Sequence, residues 1–291
     1  MKYLDDEDIK KIKNLAGSRQ GFSRGGEAGG MNLGNISSRT PDSEFAGHRS
    51  HNAGEGSRFI DWKAYARNER LYVKDFLQER RTGWEIFFDA SASMGFSGEY
   101  SRLFVKFALY ACGILLLRGE KLNLHLLREK KTVSSPSLRG FEKLIILDEF
   151  FSSAEFSGGN FEVETFAGKA AETGKNCRMA FFSDLFFPRE KLRALAAVLA
   201  ANPREKTVFH FFEKDLGKII SSAGEVLLSD AETGEELAFE YSGFRKILEE
   251  KHEKWLSECR AAFSLQNTRY FRVSEEGDVS SLRRLTEGRR T

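Results

Sequence analysis

Apolar positions along this chain fall into two patterns. Short, nearly unbroken runs of bulky residues occur at Trp84 to Phe88, Cys177 to Phe182 and Thr207 to Phe212. Such runs suit strands buried on both faces, as in parallel sheets covered by helices. Between them lie longer stretches with apolar residues three and four apart. Ser101 to Leu117 carries Leu103, Phe104, Phe107, Ala108, Ala111, Ile114 and Leu115, with Val105 and Tyr110 widening the stripe. This predicts a largely buried helix. The same spacing predicts helices over Asp5 to Leu15, Phe141 to Phe150, about Glu162 to Thr173, the segment after Pro188, Phe244 to Phe263 and Val279 to Leu285.

Further strands are expected at Leu71 to Glu79, Leu122 to Leu127 and Tyr270 to Val273, with an edge strand at Thr132 to Ser137 broken by Pro136. His125 is read as a sheet-face residue. Val226 to Leu228 and Leu237 to Phe239 flank the turn residues Asp230 to Gly234 and read as a β-hairpin. Strands alternating with helices predict an α/β fold with a doubly wound, mostly parallel sheet of Rossmann-type topology, carrying an N-terminal extension and an inserted β-hairpin. The expected organisation is an N-terminal extension over 1–82, packed on a main domain over 83–291, with the hairpin near 224–241.

Composition changes this picture little. The 291 residues are 41% hydrophobic and 30% charged, and 26 are Phe, so an aromatic core is available. Lys plus Arg number 45 against 43 Asp plus Glu, a net charge of +2, which gives no support for nucleic-acid binding or a membrane-surface role. Cys112, Cys177 and Cys259 are far apart and suggest neither a zinc knuckle nor a disulfide framework. The charged segment Met1 to Lys13 has no signal-peptide core. The clean apolar run Ala108 to Leu117 is too short to span a bilayer. A cytoplasmic protein without membrane insertion is the expectation.

Glycine dominates Gly17 to Gly34, but no strand precedes it, so a nucleotide-binding loop is a poor reading. No Gly-x-x-x-x-Gly-Lys-Ser/Thr occurs, and nothing argues for ATP hydrolysis by this chain. In the segment from Arg58 to Arg67, Asp61 is expected to accept hydrogen bonds from an arginine, with Trp62 packed. His48 and His51 have no third His or Cys nearby to make a zinc site.

Chemistry concentrates after the strand at Trp84. Asp89, Ser91 and Ser93 stand at every second position of a polar loop between strand and helix. In an open parallel sheet that loop lies at the C-terminal edge of the strands, where ligands bind. Asp184 follows the strand at Cys177 in the same way. If the two strands are neighbours, two carboxylates and two hydroxyls share one pocket. Hard oxygen donors without His or Cys suit Mg2+ or Mn2+. Direct bonds from Ser91 and Ser93, with the Asp residues held through water, leave a position for an outside carboxylate.

Asp89-x-Ser91-x-Ser93, Gly158-Gly159 and Ser183-Asp184 together resemble the metal-ion-dependent adhesion site of von Willebrand factor A domains. Arg49, Gly54-Glu55, Arg58-Phe59-Ile60-Asp61-Trp62 and Ala66-Arg67 resemble the segment that precedes this domain in the DUF58 family. The hairpin turn Asp230-Ala231-Glu232-Thr233-Gly234-Glu235 and the helix after it resemble that family too. The resemblance implies a von Willebrand factor A-like fold and a metal site of Asp89, Ser91, Ser93, Asn160 and Asp184. Asn160 stands where the third loop of such sites usually has Thr, and His51 and Glu55 stand where the family more often shows Tyr and Asp. Family members resemble adaptors whose genes neighbour MoxR-type AAA+ ATPases. The implied function is a non-enzymatic, metal-dependent protein-binding adaptor for chaperone-like assembly. Two alternatives remain: a metal-independent scaffold, and an Asp-dependent phosphatase using Asp89. The phosphatase lacks its general acid, because Ser91 stands two residues after the nucleophile.

Overall fold

The computed structural model describes residues 2–17, 44–50, 60–68, 71–77, 83–95, 98–173, 177–212, 225–230, 234–264, 268–274 and 276–285. The chain divides into two compact units, Met1–Gly21 with Thr82–Thr291, and Phe22–Arg81.

The larger unit begins with helix α1 (Asp6–Gly17). Strand β3 (Trp84–Asp89) leads through a one-turn helix α3 (Ala92–Gly95) into α4 (Gly98–Leu117). Strands β4 (Lys121–Leu127), β5 (Thr132–Ser134) and β6 (Leu138–Arg139) follow, then α5 (Leu144–Ser152) and α6 (Val163–Glu172). Next come β7 (Arg178–Ser183), α7 (Arg189–Ala201) and β8 (Lys206–Phe211). The hairpin β9 (Glu225–Ser229) and β10 (Glu236–Glu240) forms its own antiparallel pair, as its turn residues predict. The long helix α8 (Tyr241–Ala262), strand β11 (Thr268–Val273) and a 3-10 segment (Glu276–Leu285) complete the unit.

The main sheet runs β11-β8-β7-β3-β4-β5, with β6 pairing to β4. From β11 to β4 every pairing is parallel, and only β5 and β6 run antiparallel. Helices cover both faces. On one side Ile86, Phe88, Leu124, Phe182 and Phe209 share a core with residues of α1, α4 and α5. On the other, Phe87, Phe181 and Val208 pack with residues of α6, α7 and α8. This is the doubly wound α/β fold of von Willebrand factor A-like domains. Helix α4 runs 20 residues, twice the apolar run apparent in the sequence, and has the length and hydropathy of a membrane span. Most of it is buried: Val105, Ala108, Ala111 and Ile114 are wholly enclosed in the core.

In the smaller unit β1 (Glu44–Ser50) pairs antiparallel with β2 (Tyr72–Leu77), shifted in register between Phe45 and Gly47. Strand β1 is not visible in the hydrophobic pattern. Between the two strands lies α2 (Trp62–Asn68). The expectation that Trp62 is packed is corrected here, and Asp61 has a role at the start of this helix. Asp61 Oδ1 accepts the backbone N–H groups of Lys63 (3.0 Å) and Ala64 (3.3 Å), the capping geometry of a helix start. Trp62 is 58% exposed. His51 to Phe59 lie outside the described residues.

Candidate functional site

Asp89 ends β3 and is fully buried. Parallel pairing sets Phe88 opposite Phe182 on β7, so Asp89 and Ser183 are the next residues along the two strands. The Ser183 hydroxyl donates to Asp89 Oδ2 (2.7 Å) and accepts the Leu185 N–H (2.9 Å). The Ser91 backbone N–H donates to Asp89 Oδ1 (3.0 Å). Both carboxylate oxygens are therefore engaged. Burial pushes the Asp89 carboxyl above the ordinary carboxylate range, against the pull of the Ser183 and Ser91 hydrogen bonds and the Lys191 charge.

The hydroxyls of Ser91 and Ser93 lie 3.0 Å apart. With Mg–O bonds of about 2.1 Å at right angles, neighbouring ligand oxygens sit about 3.0 Å apart. The two hydroxyls are hydrogen-bonded to each other, and the same separation would suit adjacent ligands on one octahedral ion. Asp184 directly follows β7, the strand beside β3, as the sequence pattern predicts, and its Oδ1 accepts the Phe186 N–H two residues on (3.2 Å). The third loop meets the first through backbone: the Ala92 N–H donates to the Gly158 carbonyl (3.1 Å). Gly158, at φ +81°, allows the turn, and Asn160 follows it half-buried. A Cβ on Gly95 would lie 2.5 Å from Phe156 Cβ, so the close approach of α3 to this loop requires glycine.

Asp89, Ser91, Ser93 and Asp184 therefore sit on one edge of the sheet, and the loop carrying Asn160 is bonded to that edge. Among the described residues no group of three His, Cys, Asp or Glu side chains gathers as a metal site. The donor set of hydroxyls, one amide and two carboxylates fits a hard ion such as Mg2+ or Mn2+.

Three features of the edge were not read from the sequence. Ser183 is the direct partner of Asp89; its signal is a lone hydroxyl closing the apolar run Met179 to Phe182. Leu185 takes φ +55°, a left-handed conformation that burdens a branched side chain, immediately after Asp184. His210 pairs with Ser183 across β8 and is buried, with Nδ1 hydrogen-bonded to the Tyr270 hydroxyl. Of the phenylalanines near the edge, Phe186 is 61% exposed and lies against the Trp255 ring (4.6 Å). Phe187, which follows Asp184 at a similar remove, is instead buried against Phe161 (5.4 Å). Phe96 lies outside the described residues.

A hydrogen-bonded cluster centred on the buried Glu85 and His125 also spans β3, β4 and β5. His125 Nε2 meets Glu85 Oε2 (2.7 Å) and Nδ1 meets Ser134 Oγ (2.8 Å), while Asn123 donates to Glu85 Oε1 (2.9 Å). His125 is a sheet-face residue, as its place in the strand pattern predicts.

The mostly parallel sheet wound on both faces, with an aspartate and a serine-rich loop after a central strand, is a von Willebrand factor A-like fold. The chain belongs to the DUF58 family: the family described as "Protein of unknown function DUF58" matches residues 47–254, more than half of its length. Similar solved structures include the conserved hypothetical protein BatB from Bacteroides thetaiotaomicron, 12% identical with a TM-score of 0.43, covering 69% of this chain and 96% of that one. An aerotolerance-related membrane protein from Bacteroides fragilis is 12% identical with a TM-score of 0.44, covering 70% and 97%. The VWA domain of SpRpn10 is 13% identical with a TM-score of 0.41, covering 69% and 93%. No curated protein matches the chain.

Proposed function

We propose that this protein is a non-enzymatic adaptor that binds a protein partner through a divalent metal held at the C-terminal edge of the main sheet. The observation that carries this reading is the 3.0 Å spacing of the Ser91 and Ser93 hydroxyls beside a buried, doubly hydrogen-bonded Asp89. Ser91 and Ser93 would hold Mg2+ or Mn2+ directly, with Asp89, Asp184 and Asn160 around them. The bound ion would supply a positive centre for a carboxylate of the partner. Ser183 and the Ser91 N–H fix Asp89 so that its charge faces the ion without rotamer freedom. The exposed Phe186 ring offers apolar contact beside that position, which suits protein recognition.

The partner proposed is a MoxR-type AAA+ ATPase in the cytoplasm, and the process is chaperone-like assembly or maturation of other proteins. This part rests on the family resemblance. The test is capture of such an ATPase by wild type, Asp89→Ala and chelator-treated protein. Capture by wild type with Mg2+ alone is expected. Equal capture in all three would refute metal-mediated binding.

A further inference from the structure

One cationic side chain is already built into this edge. Lys191 lies in the first turn of α7. Its Nζ sits 4.5 Å from the ring centroid of Phe161 and 4.4 Å from that of Phe187. Phe161 directly follows Asn160, and Phe187 lies three residues after Asp184. The two rings are buried and stand perpendicular to each other, 5.4 Å apart. The ammonium is thus clamped by one residue from the third loop and one from the Asp184 loop. Its charge also reaches Asp89, where it favours the carboxylate. A positive charge is therefore fixed between the third loop and the Asp184 loop, within electrostatic reach of Asp89.

Aromatic faces attract a cation and hold it in place, most strongly where water is partly excluded. Lysine offers three donors and no acceptor, so it cannot ligate a metal while charged. A divalent ion at this edge and this ammonium would both act on the Asp89 carboxylate, and their like charges oppose each other. We propose that Lys191 is a tethered cation that holds the divalent ion's electrostatic place in the metal-free protein, and so weakens metal binding at this edge. The inference rests on the metal-site reading above. Its consequence is a threshold: Mg2+ fills the site only where its concentration is high enough to overcome the resident charge.

The experiment is calorimetric titration of the full chain, stripped with chelator, using MgCl2 and then MnCl2. Wild type is compared with Lys191→Met, Lys191→Arg and Asp89→Ala. Methionine keeps an unbranched, polarizable stem against the two rings while removing the charge. A melt of each variant in chelator confirms that it is folded. Lys191→Met is expected to bind Mg2+ at least tenfold more tightly than wild type, with Lys191→Arg close to wild type. Binding by Lys191→Met where wild type is silent gives the same support. Equal or weaker binding by Lys191→Met overturns the proposal and leaves the metal reading standing, provided Asp89→Ala abolishes binding. Absence of binding in both wild type and Lys191→Met overturns the metal reading, and this inference with it.

Discussion

Burial works against the charged form of Asp89. Burial raises its pKa more than its hydrogen bonds and the Lys191 charge lower it. An acid whose folded value is raised opposes folding once the pH exceeds its ordinary value, because the unfolded chain ionises more readily. In chelator at neutral pH, Asp89→Asn should therefore be more stable than wild type, with a higher Tm. The same variant should lose its thermal response to Mg2+. Thermal melts with and without Mg2+ check both; a less stable Asp89→Asn in chelator would contradict the account. His210 behaves in the opposite sense. Burial above all, with His252 and Arg272 nearby, lowers its pKa from 6.5 to about 3, and the Asp184 backbone offsets this only in part. The folded protein keeps the ring neutral while the unfolded chain takes up a proton. Stability is thus full above about pH 6.5 and is lost progressively as the pH falls towards 3. His210→Gln should flatten the dependence of urea stability between pH 7 and pH 4. An unchanged slope would show that His210 does not carry it.

At the scale of elements, the edge stands on a row of four phenylalanines. Phe88, Phe182, Phe209 and Phe271 are register partners across β3, β7, β8 and β11. Neighbouring rings stack at 6.2, 4.8 and 5.6 Å. Asp89, Ser183 and His210 are the next residues along the first three strands, so a rigid apolar floor fixes where they start. The loops above are set by closer contacts, and Gly95 is the tightest of them. Gly95→Ala would drive a Cβ into Phe156 and push the third loop from the first. We expect it to weaken Mg2+ binding by tenfold or more while the far-ultraviolet spectrum of the fold persists. Calorimetry on the variant decides this, and wild-type affinity would show that the loop contact is dispensable. The parallel strands, the helices that cover them and the Asp89–Ser93 loop were legible because period and composition encode them locally, whereas α2 was not predicted and Val279 to Leu285 lies in a 3-10 segment rather than an α-helix. Helix α4 was legible over nearly all its length, because the apolar spacing from Ser101 to Leu117 survives Arg102 and Lys106; only Gly98 to Tyr100 lie before the predicted start. Strand β1 was missed because Glu44 to Ser50 has no apolar alternation; only its pairing with β2 makes it a strand. Lys191 could not be found from the sequence, since the rings that clamp it lie in two separate loops.

In the whole molecule, the N-terminal helix belongs to the same compact unit as the sheet, although 60 residues of the second unit intervene in the chain. The Asp148 carboxylate on α5 accepts the N–H groups of Lys2, Tyr3 and Leu4 at 2.6, 3.0 and 3.1 Å. Asp8 on α1 pairs with Lys106 (2.9 Å) and accepts from the Tyr110 hydroxyl, both on α4. Ile12 packs against Gly113, where a Cβ would approach to 2.9 Å. Sequence periodicity places the helix but not this docking, which depends on a carboxylate distant in the chain. The placement of the three tryptophans has a separate, optical consequence. Trp84 is wholly enclosed, with the Arg178 guanidinium 4.6 Å from its ring. Trp62 is largely in solvent. Trp255 alone lies against Phe186, two residues beyond Asp184, and edge-on to His210 at 4.7 Å. Substituting Trp62 and Trp84 by phenylalanine would leave one indole to emit, positioned so that any movement of the Asp184 loop changes its surroundings. The protein thus carries an intrinsic fluorophore beside this edge, whose emission would follow movement of the Asp184 loop in real time, with no added dye.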